Sequence, residues 1–265
     1  MRRDEQLDYY IMNRSEFGGE DGHHRLVQEL QKYIPTLHKK TLGLDVGANI
    51  GNELSTLDQL CNEDGRKLIA FEPNPLNLSL LEAKSKTLPN VEIQPVAISD
   101  KEGKMPFYTF KNHENEPGYT WGGLRAGGNK IADVVVRTLD SILKDYPDEE
   151  WDIKYVKIDT EGNDTLVIRG LQENLHRTRY ILFEASDCLK DKRGPGEKNP
   201  LGSCVELLDS KGFNVYRIGT KRILKLNGSL WHPAYDNLLM WSNCFALKKS
   251  DKILNNFINK EGYYL

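Results

Sequence analysis

The sequence predicts an α/β fold, in which helices cover both faces of a mostly parallel sheet. Short apolar stretches with strand character alternate with stretches of helical spacing along much of the chain. Parallel strands that are buried on both faces appear in a sequence as continuous apolar runs of this kind. Acidic or glycine-containing turns follow several of these runs. Open α/β sheets bind their ligands at the edge of the sheet where the carboxyl ends of the strands lie.

The composition excludes several classes of protein. The chain has 265 residues and a net charge of -3, which gives no support for general nucleic-acid binding. No apolar run approaches the ~20 residues that span a bilayer, and the N-terminus lacks the apolar segment of a signal peptide. The 4 cysteines are scattered, as reduced thiols are. We therefore expect a cytoplasmic protein without a membrane span, of unknown oligomeric state.

Periodicity and chain breakers predict the order of the elements. Residues 1–40 are expected to form a helical extension, with a helix between His24 and Tyr33, and residues 41–265 a single domain. Seven strands of the main sheet are predicted at 41–46, 67–71, 91–98, 153–158, 180–183, 213–218 and 244–248. Two further strands, 105–110 and 133–137, flank a polar loop at 112–128. Helices are predicted at 52–61, 76–85, 139–145, 164–175, 205–210 and 252–259.

The stretch Leu44-Asp-Val-Gly-Ala-Asn-Ile-Gly51 gives the clearest sign of a ligand. A dinucleotide fingerprint has three glycines, Gly-x-Gly-x-x-Gly, whereas this turn has only Gly47 and Gly51. Asp45 would place a carboxylate beside a pyrophosphate, which is unfavourable, but it would attract an ammonium or a sulfonium.

Glu72 ends the second predicted strand, one βαβ step after Asp45. An acid at this position accepts hydrogen bonds from ribose hydroxyls. Both acids favour an adenosine ligand without phosphates, namely S-adenosylmethionine. Acids at strand ends also cap helices, but Asp159, Glu161 and Glu184 follow later strands at the same edge, and capping alone does not explain five of them.

With these residues, the chain resembles the FkbM family of class I S-adenosylmethionine-dependent methyltransferases. The matching stretches are 44–51, 70–75, 96–100, 138–140, 156–162 and, more weakly, 181–184. The resemblance implies a Rossmann-like three-layer sandwich with a seven-stranded, mostly parallel sheet and an antiparallel last strand. Members of the family typically methylate hydroxyl groups, often on sugars of glycans or natural products.

The resemblance also implies which residues bind the cofactor. Three groups are expected to do so, along the glycine turn, after the second strand and beside the adenine. They are Asp45, Gly47, Asn49 and Gly51; Glu72 and Asn74; and Ala97, Ile98, Ser99 and Asp100.

A sugar hydroxyl has to lose its proton, so the reaction needs a general base or a metal. Asp159 and Glu161 follow the fourth main-sheet strand, and strand alternation would point them the same way. They are candidates for a base, an acceptor clamp or, at Asp159, a ligand of a divalent metal such as Mg²⁺. Asp159 is alternatively the cap of the helix that begins near Asp164. Lys157 is either a desolvated base or the counter-ion of an acid, and His232 is a further candidate base.

These residues favour an O-methyltransferase that acts on a hydroxyl of a sugar, a glycan or a related small molecule. Two alternatives stay open. An RNA ribose 2′-O-methyltransferase would suit the lysine and acids at 157–161, but the chain lacks a basic stripe. A non-catalytic cofactor-binding or assembly protein is the other alternative: the intact turn and Glu72 argue against a degenerate site, but not against a binding role.

Calorimetry separates the two nucleotide classes that the turn could bind. We expect S-adenosylmethionine to bind and NAD not to bind, because NAD would bring its pyrophosphate against Asp45. Tighter binding of NAD would contradict this interpretation of the turn.

Overall fold

The computed structural model describes residues 3–17, 39–61, 64–109, 122–124, 129–186, 201–236 and 241–261. The predicted helix between His24 and Tyr33 and most of the loop at 112–128 lie outside these residues. The chain divides into two compact units. Residues 36–179 and 191–197 make up the parallel unit; residues 1–35, 180–190 and 198–265 make up the antiparallel unit.

The parallel unit contains two sheets. Its strands are β1 (Lys40–Val46), β2 (Lys67–Phe71), β3 (Val91–Gln94), β4 (Ala97–Ile98), β5 (Gly103–Thr109), β6 (Gly122–Gly123), β7 (Asn129–Arg137) and β8 (Trp151–Ile158). Strands β3, β2, β1 and β8 lie side by side in that order, all parallel. The register opposes Asp45 to Lys157 at the ends of β1 and β8.

The second sheet has the strand order β4-β7-β5-β6 and is mainly antiparallel. The prediction of one strand at 91–98 is wrong, because that stretch contributes to both sheets. Pro95 has no N–H to donate to a ladder, and Val96 N donates to Gln94 O at 2.9 Å in a tight turn. The chain therefore leaves the first sheet at Gln94 and enters the second at Ala97.

Seven helices are described, and most begin or end where the local sequence indicates. They are α1 (Arg3–Met12), α2 (Leu54–Leu60), α3 (Pro75–Ser85), α4 (Leu139–Ile142), α5 (Asp164–Arg169), α6 (Leu201–Ser210) and α7 (Lys252–Glu261). α3 begins at a proline, and the Asn74 side chain caps it by accepting from Leu76 N. α5 is shorter than predicted because the chain turns at Gly170, where a Cβ would lie 2.1 Å from Ser99 O.

The antiparallel unit contains β9 (Thr178–Ser186), β10 (Phe213–Ile218), β11 (Ile223–Lys225) and β12 (Trp241–Lys248). Their order is β9-β12-β10-β11, with every neighbouring pair antiparallel. The reversed last strand is thus present. β11 was not predicted; it folds back on β10 after a turn in which Gly219 N donates to Arg222 O. Glu184 does not end a strand as predicted but lies within β9, opposite Asn243.

Helix α1 packs within the antiparallel unit. Gln6 Nε2 donates to Lys225 O at 2.8 Å and to Tyr235 Oη at 2.9 Å. Tyr10 and Phe17 are buried, and their rings meet edge to face. Sequence periodicity did not predict this helix, because its buried face includes a glutamine and a tyrosine and lacks an aliphatic stripe.

The predicted fold class is confirmed: the chain is α/β, with parallel main-sheet strands in one unit and a reversed last strand in the other. Among the described residues, no helix combines the length and apolar character needed to cross a membrane. The division into a helical extension at 1–40 and one domain at 41–265 stays a prediction.

Two glycines with nearly the same backbone conformation permit a matched test of the close approach between β1 and β8. Gly47 has φ of 84° and Gly212 has φ of 80°. A Cβ would lie 1.8 Å from Asp159 O at Gly47 but would meet nothing within 4 Å at Gly212. We expect Gly212→Ala to lower the free energy of unfolding by roughly 1 kcal/mol, the cost of a left-handed residue, and Gly47→Ala by at least roughly 3 kcal/mol. Urea denaturation measures both, and equal losses would show that the close approach has no energetic weight.

Candidate functional site

The candidate site lies in the parallel unit, where the chain leaves β1, β2 and β8. Gly47 N and Ala48 N both donate to Phe71 O at 3.0 Å, which ties the turn after β1 to the end of β2. Asp159 N donates to Val46 O at 2.9 Å, which ties the end of β8 to the end of β1. Backbone hydrogen bonds therefore hold the three strand ends together.

The turn after β1 requires glycine for two reasons. Gly47, Asn49 and Gly51 have positive φ values of 84°, 52° and 78°, and asparagine is one of the few residues with a side chain that adopts this conformation readily. Space is also lacking, because a Cβ on Gly47 would overlap the carbonyl of Asp159, and one on Gly51 would lie 2.8 Å from Leu81 Cδ1.

Glu72 fixes the shape of this turn from the end of β2. Its Oε2 accepts from Asn49 N at 2.7 Å, and its Oε1 accepts from Asn74 N at 2.8 Å. Asn77 Nδ2 donates to Asn49 Oδ1 at 3.2 Å and lies 3.5 Å from Glu72 Oε1. Burial raises the pKa of Glu72 to about 7, although these hydrogen bonds oppose the shift. The carboxylate lies at the turn and retains lone pairs that a hydroxyl could use.

Lys157, at the end of β8, is the centre of a charged cluster. Its Nζ lies 3.4 Å from Asp45 Oδ1, 3.7 Å from Glu53 Oε2 and 3.6 Å from Asp159 Oδ2. It also lies 3.4 Å from the carbonyl oxygen of Gly47. We call Lys157, Asp45, Glu53 and Asp159 the Lys157 cluster.

Negative charge is in surplus in the Lys157 cluster. Burial raises the pKa of Asp45 to about 6; Lys157 opposes this shift, while Glu53 and Asp159 add to it. Burial disfavours the ammonium of Lys157, but the attraction of the three carboxylates outweighs burial and raises its pKa. The ammonium therefore persists at neutral pH, which favours the counter-ion interpretation of Lys157 over the base. Such a site attracts cations and repels phosphates.

Asp159 and Glu161 lie beyond β8, in the turn that leads to α5. The argument from strand alternation therefore does not apply, and Glu161 adopts a left-handed conformation with φ of 55°. Asp159 is not the cap of α5: the N-cap residue is Asn163, and the Asp164 side chain accepts from Thr160 Oγ1 at 2.7 Å. The Asp159 side chain is 42% exposed, so its carboxylate is accessible to a ligand.

The segment expected beside the adenine is tied to this same turn. Asn163 is buried, and its Nδ2 donates to Ile98 O at 2.8 Å. Ala97 and Ser99 are buried, whereas Asp100 is exposed. Ser99 O also lies where a Cβ on Gly170 would clash. The segment at 97–100 is thus fixed by a hydrogen bond to the turn at 159–163 and by close packing against Gly170, at the end of α5.

His232 lies in the antiparallel unit. Its Nδ1 accepts from Ala234 N at 3.1 Å and caps the short helical turn Pro233–Tyr235. That hydrogen bond engages the Nδ1 lone pair, which leaves the proton of the neutral ring on Nε2.

Sequence reasoning missed three residues of the site: Glu53, Asn77 and Asn163. Asn163 could have been found, because it follows Asp-Thr-Glu-Gly directly. Glu53 and Asn77 carry no such signal, since each acquires its place through contacts with distant parts of the chain. In the described ranges, no three His, Cys, Asp or Glu side chains are arranged to hold a metal ion, and the metal at Asp159 stays a prediction.

A parallel α/β unit with this glycine turn, an acid after the second strand and no dinucleotide fingerprint has the organisation of a class I methyltransferase. The family model described as the methyltransferase FkbM domain matches residues 45–215. The chain therefore belongs to the FkbM family of S-adenosylmethionine-dependent methyltransferases.

The individual relatives are similar to this chain at low sequence identity. The chain is 27% identical over 177 residues to the 2-O-methyltransferase NoeI of Sinorhizobium fredii. The aligned region covers 62% of this chain and 69% of NoeI. A solved FkbM methyltransferase from Methylobacillus flagellatus matches with a TM-score of 0.46 and 14% identity over 92% of this chain, and the chain spans only 59% of its length. A putative methyltransferase from Streptococcus mutans in complex with SAH matches with a TM-score of 0.45 and 12% identity, covering 86% of this chain and 97% of that one.

The two raised carboxyl pKa values predict how cofactor affinity depends on pH. Asp45 and Glu72 titrate at about 6 and about 7. Only the ionised forms attract a cation and accept fully from a ribose hydroxyl, so we expect calorimetry to show affinity for S-adenosylmethionine rising from about pH 5 to about pH 8. The loss approaches about tenfold per pH unit below each pKa.

The stability of the ligand-free protein has the opposite dependence on pH. Both pKa values exceed their ordinary values of 3.8 and 4.5, so the folded state binds these protons more tightly than the unfolded state. Their stabilising contribution is therefore lost as pH rises from about 4 to about 7. The variant Glu72→Gln serves as the control, because it removes the part of the pH dependence of stability that comes from the carboxyl group with the pKa near 7.

For the ligand-bound protein, an affinity for S-adenosylmethionine that stays constant between about pH 5 and about pH 8 would contradict the assignment of Asp45 and Glu72 to the cofactor site.

Proposed function

We propose that this protein transfers a methyl group from S-adenosylmethionine to a hydroxyl group of a sugar, either free or within a glycan. The observation that carries the proposal is the Lys157 cluster beside the glycine turn, with the half-exposed carboxylate of Asp159 at its edge. The cluster suits a cationic cofactor, and Asp159 is an acid that an incoming hydroxyl can reach.

The residues of the turn fit this cofactor. Glu72 offers acceptor oxygens to ribose hydroxyls, and the negative surplus around Asp45 suits an ammonium or a sulfonium. Gly47, Asn49 and Gly51 shape the turn around it, Asn74 holds the start of α3, and the segment at 97–100 borders the adenine. When bound, S-adenosylmethionine supplies the methyl group and the sulfonium that makes it a good leaving group.

Asp159 is the general base in this proposal. Lys157 stays protonated at neutral pH, and the Nδ1 lone pair of His232 already accepts a backbone hydrogen bond. The Asp159 carboxylate would accept the proton of the acceptor hydroxyl as the hydroxyl oxygen takes the methyl group, and S-adenosylmethionine would leave as S-adenosylhomocysteine, which retains the electron pair of the broken bond on sulfur. Holding that oxygen about 3 Å from the methyl carbon supplies much of the rate. Lys157 orients Asp159, and Glu161 is the further acid assigned to contact the acceptor in this proposal.

The choice of an oxygen acceptor is supported by NoeI, whose name describes a 2-O-methyltransferase. A sugar suits the site because its hydroxyls are polar and uncharged. The alternative role for Asp159, as ligand of a divalent metal such as Mg²⁺, predicts that EDTA abolishes turnover, whereas a base at Asp159 predicts turnover that EDTA does not affect.

A screen of glycans and nucleoside diphosphate sugars for the mass gain of one methyl group tests the proposal. With an acceptor in hand, Asp159→Asn should lower kcat by roughly 10²- to 10⁴-fold, the usual contribution of a general base. Its affinity for S-adenosylmethionine should fall by no more than roughly three- to tenfold, the effect of one partly screened charge, so the loss in kcat should be much the larger.

The control variant is Asp133→Asn, which alters an exposed carboxylate that pairs with Lys130 in the same unit. Its turnover should match that of the unaltered protein. Equal turnover in Asp159→Asn would remove Asp159 from the mechanism, and methylation of RNA but of no sugar would replace the acceptor class.

A further inference from the structure

The Lys157 cluster contains one carboxylate that lies just outside the matching stretch at 44–51. Glu53 follows the glycine turn and immediately precedes α2, and its Oε2 lies 3.7 Å from Lys157 Nζ. Asp45 and Asp159 are the other two acids at this ammonium, at 3.4 Å and 3.6 Å. One positive charge thus faces three negative charges, and Glu53 supplies the third.

The burial of Asp45 and the exposure of the other two acids suit a cluster whose negative charge acts on a ligand. Asp45 is 1% exposed, and within the described residues its Oδ1 accepts no hydrogen bond and makes only the shared ion pair with Lys157. Glu53 is 30% exposed and Asp159 is 42% exposed, so both acids adjoin solvent-accessible space. In a partly buried site, charges are screened less than on the surface, and their effect on a bound ion is correspondingly larger.

The methyl donor and its product differ mainly in charge at one atom. S-adenosylmethionine carries a sulfonium, whereas S-adenosylhomocysteine carries a neutral thioether and is otherwise the same molecule apart from the methyl group. Negative charge near the sulfur therefore favours the donor over the product, while contacts to the adenosine and to the amino-acid group act equally on both.

We propose that Glu53 is a specificity-determining residue that makes the site prefer the cationic methyl donor over the neutral product. The inference rests on the proposed function. In the catalytic cycle, the negative charge of the cluster stabilises the bound donor before methyl transfer. After transfer the sulfonium charge is gone, and the same negative charge no longer stabilises the bound product, which favours its release.

The test compares two dissociation constants in each variant by calorimetry. Glu53→Gln keeps the side-chain size and removes the charge. Its Kd for S-adenosylmethionine should rise roughly three- to tenfold, as expected for one partly screened charge, while its Kd for S-adenosylhomocysteine changes less than about twofold. An analogue with a positively charged amine in place of the sulfonium of S-adenosylmethionine should behave as the donor does.

Two further variants separate charge from packing. Glu53→Asp restores the negative charge and should restore most of the preference for the donor. Glu150→Gln removes an exposed carboxylate that pairs with Lys40 in the same unit, and should change neither constant.

If Glu53→Gln weakens the binding of both ligands equally, Glu53 has a structural role and the inference is overturned. The inference is also overturned if the variant weakens the binding of neither ligand. If the unaltered protein binds neither ligand, the proposed function itself fails, and this result is distinct from failure of the inference.

Discussion

The interaction on which the candidate site depends is the contact between the buried ammonium of Lys157 and its three carboxylates. Removing charges from water costs several kcal/mol per ion, and a buried ion pair rarely repays that cost by stability alone. Here the contact joins the end of β1, the start of α2 and the turn after β8. A single side chain therefore sets the positions of acids that come from three separate parts of the chain.

A second set of contacts holds the backbone that surrounds this cluster. Glu72 accepts from Asn49 N and Asn74 N, so it fixes both the glycine turn and the start of α3. Asn163 fixes the edge at Ile98 in the same way. Because these contacts originate in strand ends and helix starts, the site is preorganised by regular structure, and a ligand need not order it.

The charge of the site also bears on the acceptor. A surplus of negative charge suits a cationic methyl donor and a neutral, polar acceptor such as a sugar hydroxyl. An RNA acceptor would bring phosphates towards the same carboxylates, and a chain with net charge -3 offers little general attraction to compensate. The electrostatics of the site therefore support the proposal of an uncharged acceptor.

The sequence by itself determined the α/β class, the glycine turn and the acids at the ends of β1 and β2, because apolar runs, glycines and strand-end carboxylates are local signals. It misjudged the stretch at 91–98, where Pro95 sends the chain into a second sheet, and it missed β11, which is too short for a periodic signal. Only the tertiary structure decided that Glu53 meets Lys157. The two residues are far apart in the chain, and the register of β1 against β8 brings them together. Coulomb attraction and burial depend on distance in space, so a local sequence pattern does not reveal this contact.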